Sequence, residues 1–73
     1  MTPVASGLRV VVNGRAETFP RGLTVAELLK RLKMPQKGVA VEVNQQIVPR
    51  AQHAEHQLAD GDCLEVVSLV GGG

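Results

Sequence analysis

The sequence has neither tryptophan nor tyrosine, and Phe19 is its single aromatic residue. A core must therefore come from Leu, Val and Ile, and there is no set of aromatic platforms on which nucleic-acid bases could stack. Cysteine occurs once, as Cys63. One thiol cannot close an internal disulfide, which excludes a stapled secreted mini-protein. No apolar run approaches the roughly 20 residues that cross a bilayer as a helix. The opening MTPVASG has neither the basic start nor the apolar stretch of a signal peptide, so the cytoplasm is the expected compartment. Neither sign of charge is in excess: eight Lys and Arg against seven Asp and Glu leave +1. Basic side chains cluster only at Lys30, Arg31 and Lys33, where a helix end is expected and the helix dipole favours them. Neither nucleic acid nor a membrane is an expected partner.

What is present must fit in 73 residues. A chain of this size buries only about 60% of the surface its unfolded form exposes. Most of it is needed to make a core, which argues against a self-sufficient catalytic cleft. His53 and His56 are close enough to share a metal on a helix, with Cys63 the nearest further ligand. Zinc sites usually take three or four protein ligands, so both histidines are expected on the surface and no metal site is expected. Cys63 opens an apolar strand with no adjacent cation, and is read as a small hydrophobe. The carboxylates Glu17, Glu27, Glu42, Glu55, Asp60, Asp62 and Glu65 contain no pair whose spacing implies acid/base work.

Along the chain, Leu8, Val10 and Val12 alternate before Asn13-Gly14, a strong hairpin signal because a type I′ turn needs positive φ twice. The return strand RAETF is expected to bury Ala16 and Phe19. Thr24 and Glu27 form a capping box ahead of a helical stripe of Val25, Leu28, Leu29 and Leu32, closed by Pro35 and Gly38. Val39, Val41 and Val43 alternate inward, Asn44 to Gln46 suit a turn, and Ile47-Val48 is a short strand stopped by Pro49. The segment RAQHAEHQLA is either a short helix or an irregular crossing. Asp60-Gly61-Asp62 is a tight turn. The run from Cys63 to Val70 is apolar at most positions, which suits a central strand buried on both faces. One helix can cover only one face of a sheet. The predicted class is therefore α+β: a ubiquitin-like β-grasp with a mixed sheet of four to five strands and one main helix across one face. Residues 1–7 are expected to form a flexible arm, 8–70 the domain, and 71–73 a flexible glycine tail.

The tail, Gly71-Gly72-Gly73, raises a chemical question of its own. No helix follows it, so it is not a phosphate loop. Glycine loses more freedom on ordering than any other residue and gives a core nothing to hold. Extended, Val70 to Gly73 would reach roughly 13–14 Å and could thread a narrow channel. A terminal glycine carboxylate, once activated, is unhindered, cannot racemise and has no side chain to attack it. The alternative is a flexible linker stub left by truncation. The tail alone leaves both open.

The stretches VAVEVNQQIVPR (Val39 to Arg50) and LADGDCLEVVSLVGGG (Leu58 to Gly73) closely resemble the ThiS-type sulfur carriers of thiamine biosynthesis. LRVVVNGRAETFPRGLTVAELLKRL fits the same family, so the likeness covers residues 8 to 73. Members commonly carry an aromatic, often tryptophan, where His53 stands, and the leader here is longer than usual. The resemblance implies that an E1-like adenylyltransferase of the ThiF type, using ATP, adenylates the carboxylate of Gly73. Sulfur from a cysteine-derived donor system would then form a thiocarboxylate, and a ThiG-type thiazole synthase would take that sulfur. Gly71 and Gly72 would be threaded into the partners' active sites. No bound cofactor is implied, and the chain would be a protein co-substrate rather than an enzyme. The related molybdopterin-synthase small subunit typically has proline and serine before its glycines; Leu69 and Val70 stand here, favouring the thiamine branch. The rival readings are a carrier for molybdopterin or another thiolated product, a ubiquitin-like protein modifier, and a β-grasp binding module with idle glycines.

Overall fold

Asn13 (φ 51°) and Gly14 (φ 82°) reverse the chain and join β1 (Gly7–Val12) to β2 (Arg15–Pro20). The register runs from Val12 opposite Arg15 to Gly7 opposite Pro20, so the loop is the two-residue type that Asn-Gly predicts. The computed structural model describes residues 7–69. Helix α1 (Val25–Arg31) starts at the expected capping box: the Glu27 amide donates to Thr24 Oγ1 (3.2 Å), and the Thr24 amide to Glu27 Oε1 (3.0 Å). Strand β3 (Val39–Val43) is followed by a second two-residue turn at Asn44 and Gln45, with φ of 54° and 70°, and by β4 (Gln46–Ile47). A 3-10 turn at Arg50–Gln52 begins the crossing, and β5 (Cys63–Ser68) ends it.

The sheet order is β2-β1-β5-β3-β4. β5 lies parallel to β1 and antiparallel to β3. With one helix on one face of a mixed five-stranded sheet, this is the expected β-grasp. The core lies between them: Val25, Leu28 and Leu29 of α1 are fully buried, with Val10, Val41 and Leu64 fully or nearly so from the three central strands. Phe19, Leu23, Val48 and Leu58 belong to the same buried cluster.

Several expectations need correction. β1 begins at Gly7, the last residue of the stretch expected to be a flexible arm; residues 1–6 lie outside the described residues. Ala16 is exposed, because it stands opposite Val11 on the face that α1 does not cover. β5 is central, as predicted, but buries only Leu64 and Val66. The single helix leaves its other face open, so Cys63 is exposed rather than a packed hydrophobe. His53 is not on the surface: it is only 3% exposed. Its Nε2 lies 2.9 Å from the Val48 carbonyl, an acceptor, so Nε2 carries the proton and Nδ1 has no partner among the described residues. The crossing is buried there because it finishes the helix. The first amides of an α-helix have no partner within it, and here Ala26 donates to the His53 carbonyl (2.9 Å) and Val25 to the His56 carbonyl (3.0 Å).

β1 stops opposite Leu64, yet its ladder continues by one side chain. The Val66 amide donates to Asn13 Oδ1 (2.8 Å), and Asn13 Nδ2 donates to the Val66 carbonyl (3.1 Å). The carboxamide thus replaces the next peptide of the missing strand. Asn13→Gly keeps a residue that accepts positive φ but removes both bonds. It is expected to cost about 1–3 kcal/mol, read as a lower denaturation midpoint in urea with an unchanged slope.

Candidate functional site

The candidate site is the C-terminal end of β5, which delivers the chain to its glycines. Gly71, Gly72 and Gly73, the residues singled out in the sequence, lie outside the described residues. Their root is well fixed. The Leu69 amide donates to the Gly38 carbonyl at 2.6 Å, and Val67 stands opposite Ala40 and Ser68 opposite Val39. The start of β5 is tied down as firmly. The Arg9 amide donates to Asp60 Oδ1 (2.7 Å) and the Gly61 amide to the Arg9 carbonyl (2.7 Å). Asn44 receives the Cys63 amide on Oδ1 and donates from Nδ2 to Asp62 Oδ1, both at 3.0 Å. The tight turn expected at Asp60-Gly61-Asp62 is present, and its side chains also act as a latch for the last strand.

Beside this root lies the open face of the sheet. Val67 and Leu69 are 52% and 67% exposed, and Ile47 is 71% exposed. Cross-strand partners share a face, and the pairings of Glu42 with both Ile47 and Glu65 place Ile47, Glu42, Glu65 and Val67 on one surface. Two carboxylates standing directly opposite each other within an apolar patch repel. Glu65→Gln is expected to raise stability by about 0.2–1 kcal/mol, read as a higher midpoint in urea denaturation.

The remaining candidates do not converge on a reaction centre. No group of three or more His, Cys, Asp or Glu among the described residues could hold a metal ion. His53 is committed to the core, and Cys63 sits at the opposite end of β5 from the tail, in a groove with Glu42, Asn44, Gln45 and Glu65. No helix among the described residues is long and apolar enough to cross a membrane. Sequence reasoning missed the Asn13 clamp and the open patch. Each depends on which strand stands beside β5.

The comparisons with known proteins bear on most of the chain. A sequence model of the ThiS family matches residues 6–73. The sulfur carrier protein ThiS of Escherichia coli is 41% identical over 66 residues, covering 90% of this chain and 100% of that protein. A thiazole synthase of Paramagnetospirillum magneticum is also 41% identical over 66 residues, 90% of this chain. The chain spans only 20% of that longer protein's length. The crystal structure of a thiamine biosynthesis protein (ThiS) from Geobacter metallireducens superposes with a TM-score of 0.76 at 35% identity, covering 90% of this chain and all of that one. Sequence and fold agree from one end of the domain to the other, and the chain belongs to the ThiS family.

Proposed function

We propose that this chain is a sulfur carrier for thiamine biosynthesis and that its reactive atom group is the carboxylate of Gly73. A carboxylate is a poor acyl donor, because its leaving group would be oxide. A partner adenylyltransferase would let one carboxylate oxygen attack the α-phosphorus of ATP, expelling pyrophosphate and leaving an acyl-adenylate. Hydrosulfide released by a cysteine-derived donor would then attack the acyl carbon and displace AMP, which departs with that oxygen, and the sulfur would lose its proton. The product is a thiocarboxylate, and a thiazole synthase would take its sulfur. The chain itself supplies no catalytic group and holds no cofactor; ATP belongs to the activating partner.

What carries this reading is that the family match extends through the glycines to Gly73. The full-length coverage of a protein named as a sulfur carrier adds support. A thiazole synthase that contains a similar stretch within its own chain supports that enzyme as the acceptor. The domain's part is mechanical. Its latch, ladder and helix hold one end of the tail, while Gly71 and Gly72 give a cross-section no wider than backbone. The adenylation step has its own readout: in the presence of the source organism's activating enzyme, labelled pyrophosphate should exchange into ATP only when this chain is added. Exchange independent of the chain, or none at all, would contradict the proposal.

A further inference from the structure

The register of β5 leaves one side of its last turn-free stretch without a neighbour. Asn44 donates to the Cys63 carbonyl and Leu69 to the Gly38 carbonyl. Along an antiparallel pair the bonded positions alternate, so Cys63, Glu65, Val67 and Leu69 direct their peptide groups at the β3 side. Leu64, Val66 and Ser68 direct theirs at the β1 side. There the Asn13 amide donates to the Leu64 carbonyl (2.9 Å), and the Asn13 carboxamide satisfies Val66. β1 has ended at Val12, opposite Leu64. No described strand flanks Ser68 on that side, and Ser68 is exposed. In the neighbouring turn, nothing lies within 4 Å of the position a Cβ would take at Gly14.

Natural sheets blunt their edges with charge, proline or brevity. The outer edges here follow that rule: β2 carries Arg15, Glu17 and Pro20, and β4 has only two residues before Val48-Pro49. The unflanked end of β5 reads Val66-Val67-Ser68-Leu69 and carries none of these devices. In water an unpaired peptide group there is solvated. It ceases to be so when the tail is engaged, because Val70 to Gly73 spans only roughly 13–14 Å, which brings any enzyme holding Gly73 up against the root. A peptide group dried in this way must find a protein partner or cost the complex its full desolvation. Building on the carrier function proposed above, we propose that the free edge of β5 at Ser68 receives an extended backbone segment of thiazole synthase, added as a further strand beside the root of the tail. The occupant is assigned to thiazole synthase because a relative of that name holds a similar domain and its own remaining sequence in one chain.

Proline tests this, since it removes an amide hydrogen and its ring blocks the edge, and edge positions with outward amides tolerate it. Binding of the full chain to the same organism's thiazole synthase would be measured by calorimetry for the unsubstituted protein, Ser68→Pro and Thr18→Pro. Thr18 lies on β2 at a position whose amide also faces outward, on the far side of the sheet. Ser68→Pro is expected to weaken binding about tenfold or more with its melting temperature preserved, and Thr18→Pro to bind as the unsubstituted chain does. If Ser68→Pro lowers the melting temperature, a synthetic chain with an ester in place of the amide before residue 68 removes the same hydrogen without the ring, and weaker binding is expected from it too. Unchanged binding by the folded proline or ester chain would overturn the edge assignment, as would equal weakening by Thr18→Pro. Failure of the unsubstituted chain to bind would overturn the carrier function and the edge assignment together.

Discussion

A chain carrying one additional alanine after Gly73 is expected to lose sulfur transfer entirely while melting at the same temperature as the parent. The two halves of that expectation rest on different parts of the molecule. The last buried residue among the described ones is Val66, so a residue added after Gly73 is expected to leave that core unchanged. The acyl group is another matter. One residue moves the carboxylate roughly 3.3–3.6 Å along an extended chain, whereas reacting atoms must sit about 3–3.5 Å apart and an error of 1 Å can cost about a hundredfold. On the proposed reading, the added methyl group would also widen a tail that has to enter a partner's active site. Measured as thiocarboxylate formed with the activating enzyme, the yield should fall below detection. Transfer at the parental rate would show that Gly73 is not the reacting residue.

The second large effect is on folding. Leu28→Ala and Leu29→Ala should each cost about 2–5 kcal/mol, because each removes three carbons from a site with no solvent exposure. The total stability from which this is subtracted is about 4–11 kcal/mol, at roughly 0.05–0.15 kcal/mol per residue for a chain of 73. One substitution can therefore remove half of it, and the pair together should leave the chain unfolded at 37 °C. Relief by repacking is limited: α1 is the only α-helix among the described residues, and Phe19 is the only aromatic residue to expand into the gap. Urea denaturation checks this, with a lowered midpoint and an unchanged slope. A loss below about 1 kcal/mol at both positions would contradict the packing of α1 on the sheet.

The parts of the fold that were legible in the sequence are those whose cause is local. Asn13-Gly14 and Thr24 with Glu27 each specify their geometry within four residues, and both appear as expected. The place of β5 at the centre was also legible, from its apolar content. Its second face was not. An apolar residue such as Val67 looks the same whether it is meant for a core or for another protein, and only the presence of a single helix decides between them. The parity of β5 held a clue to Cys63: with Leu64 and Val66 buried, period two turns position 63 outward.

His53 misled for a related reason. Histidine in a polar stretch reads as surface, and nothing near it announces that the crossing must fold under α1 to receive the amides of Val25 and Ala26. At the candidate site, Gly71 to Gly73 were singled out by the family likeness together with their chemistry, and they lie outside the described residues. The Asn13 clamp and the free edge at Ser68 were not legible. They arise from where β1 ends against β5, a register set across 53 residues of sequence, and no local pattern encodes it.

The most direct test of the carrier function is the intact mass of the chain after incubation with its organism's activating enzyme, ATP and a cysteine-derived sulfur source. One oxygen should be exchanged for one sulfur, and fragmentation should place the change on Gly73. A mass that does not change, or a sulfur found on Cys63 instead, would contradict it.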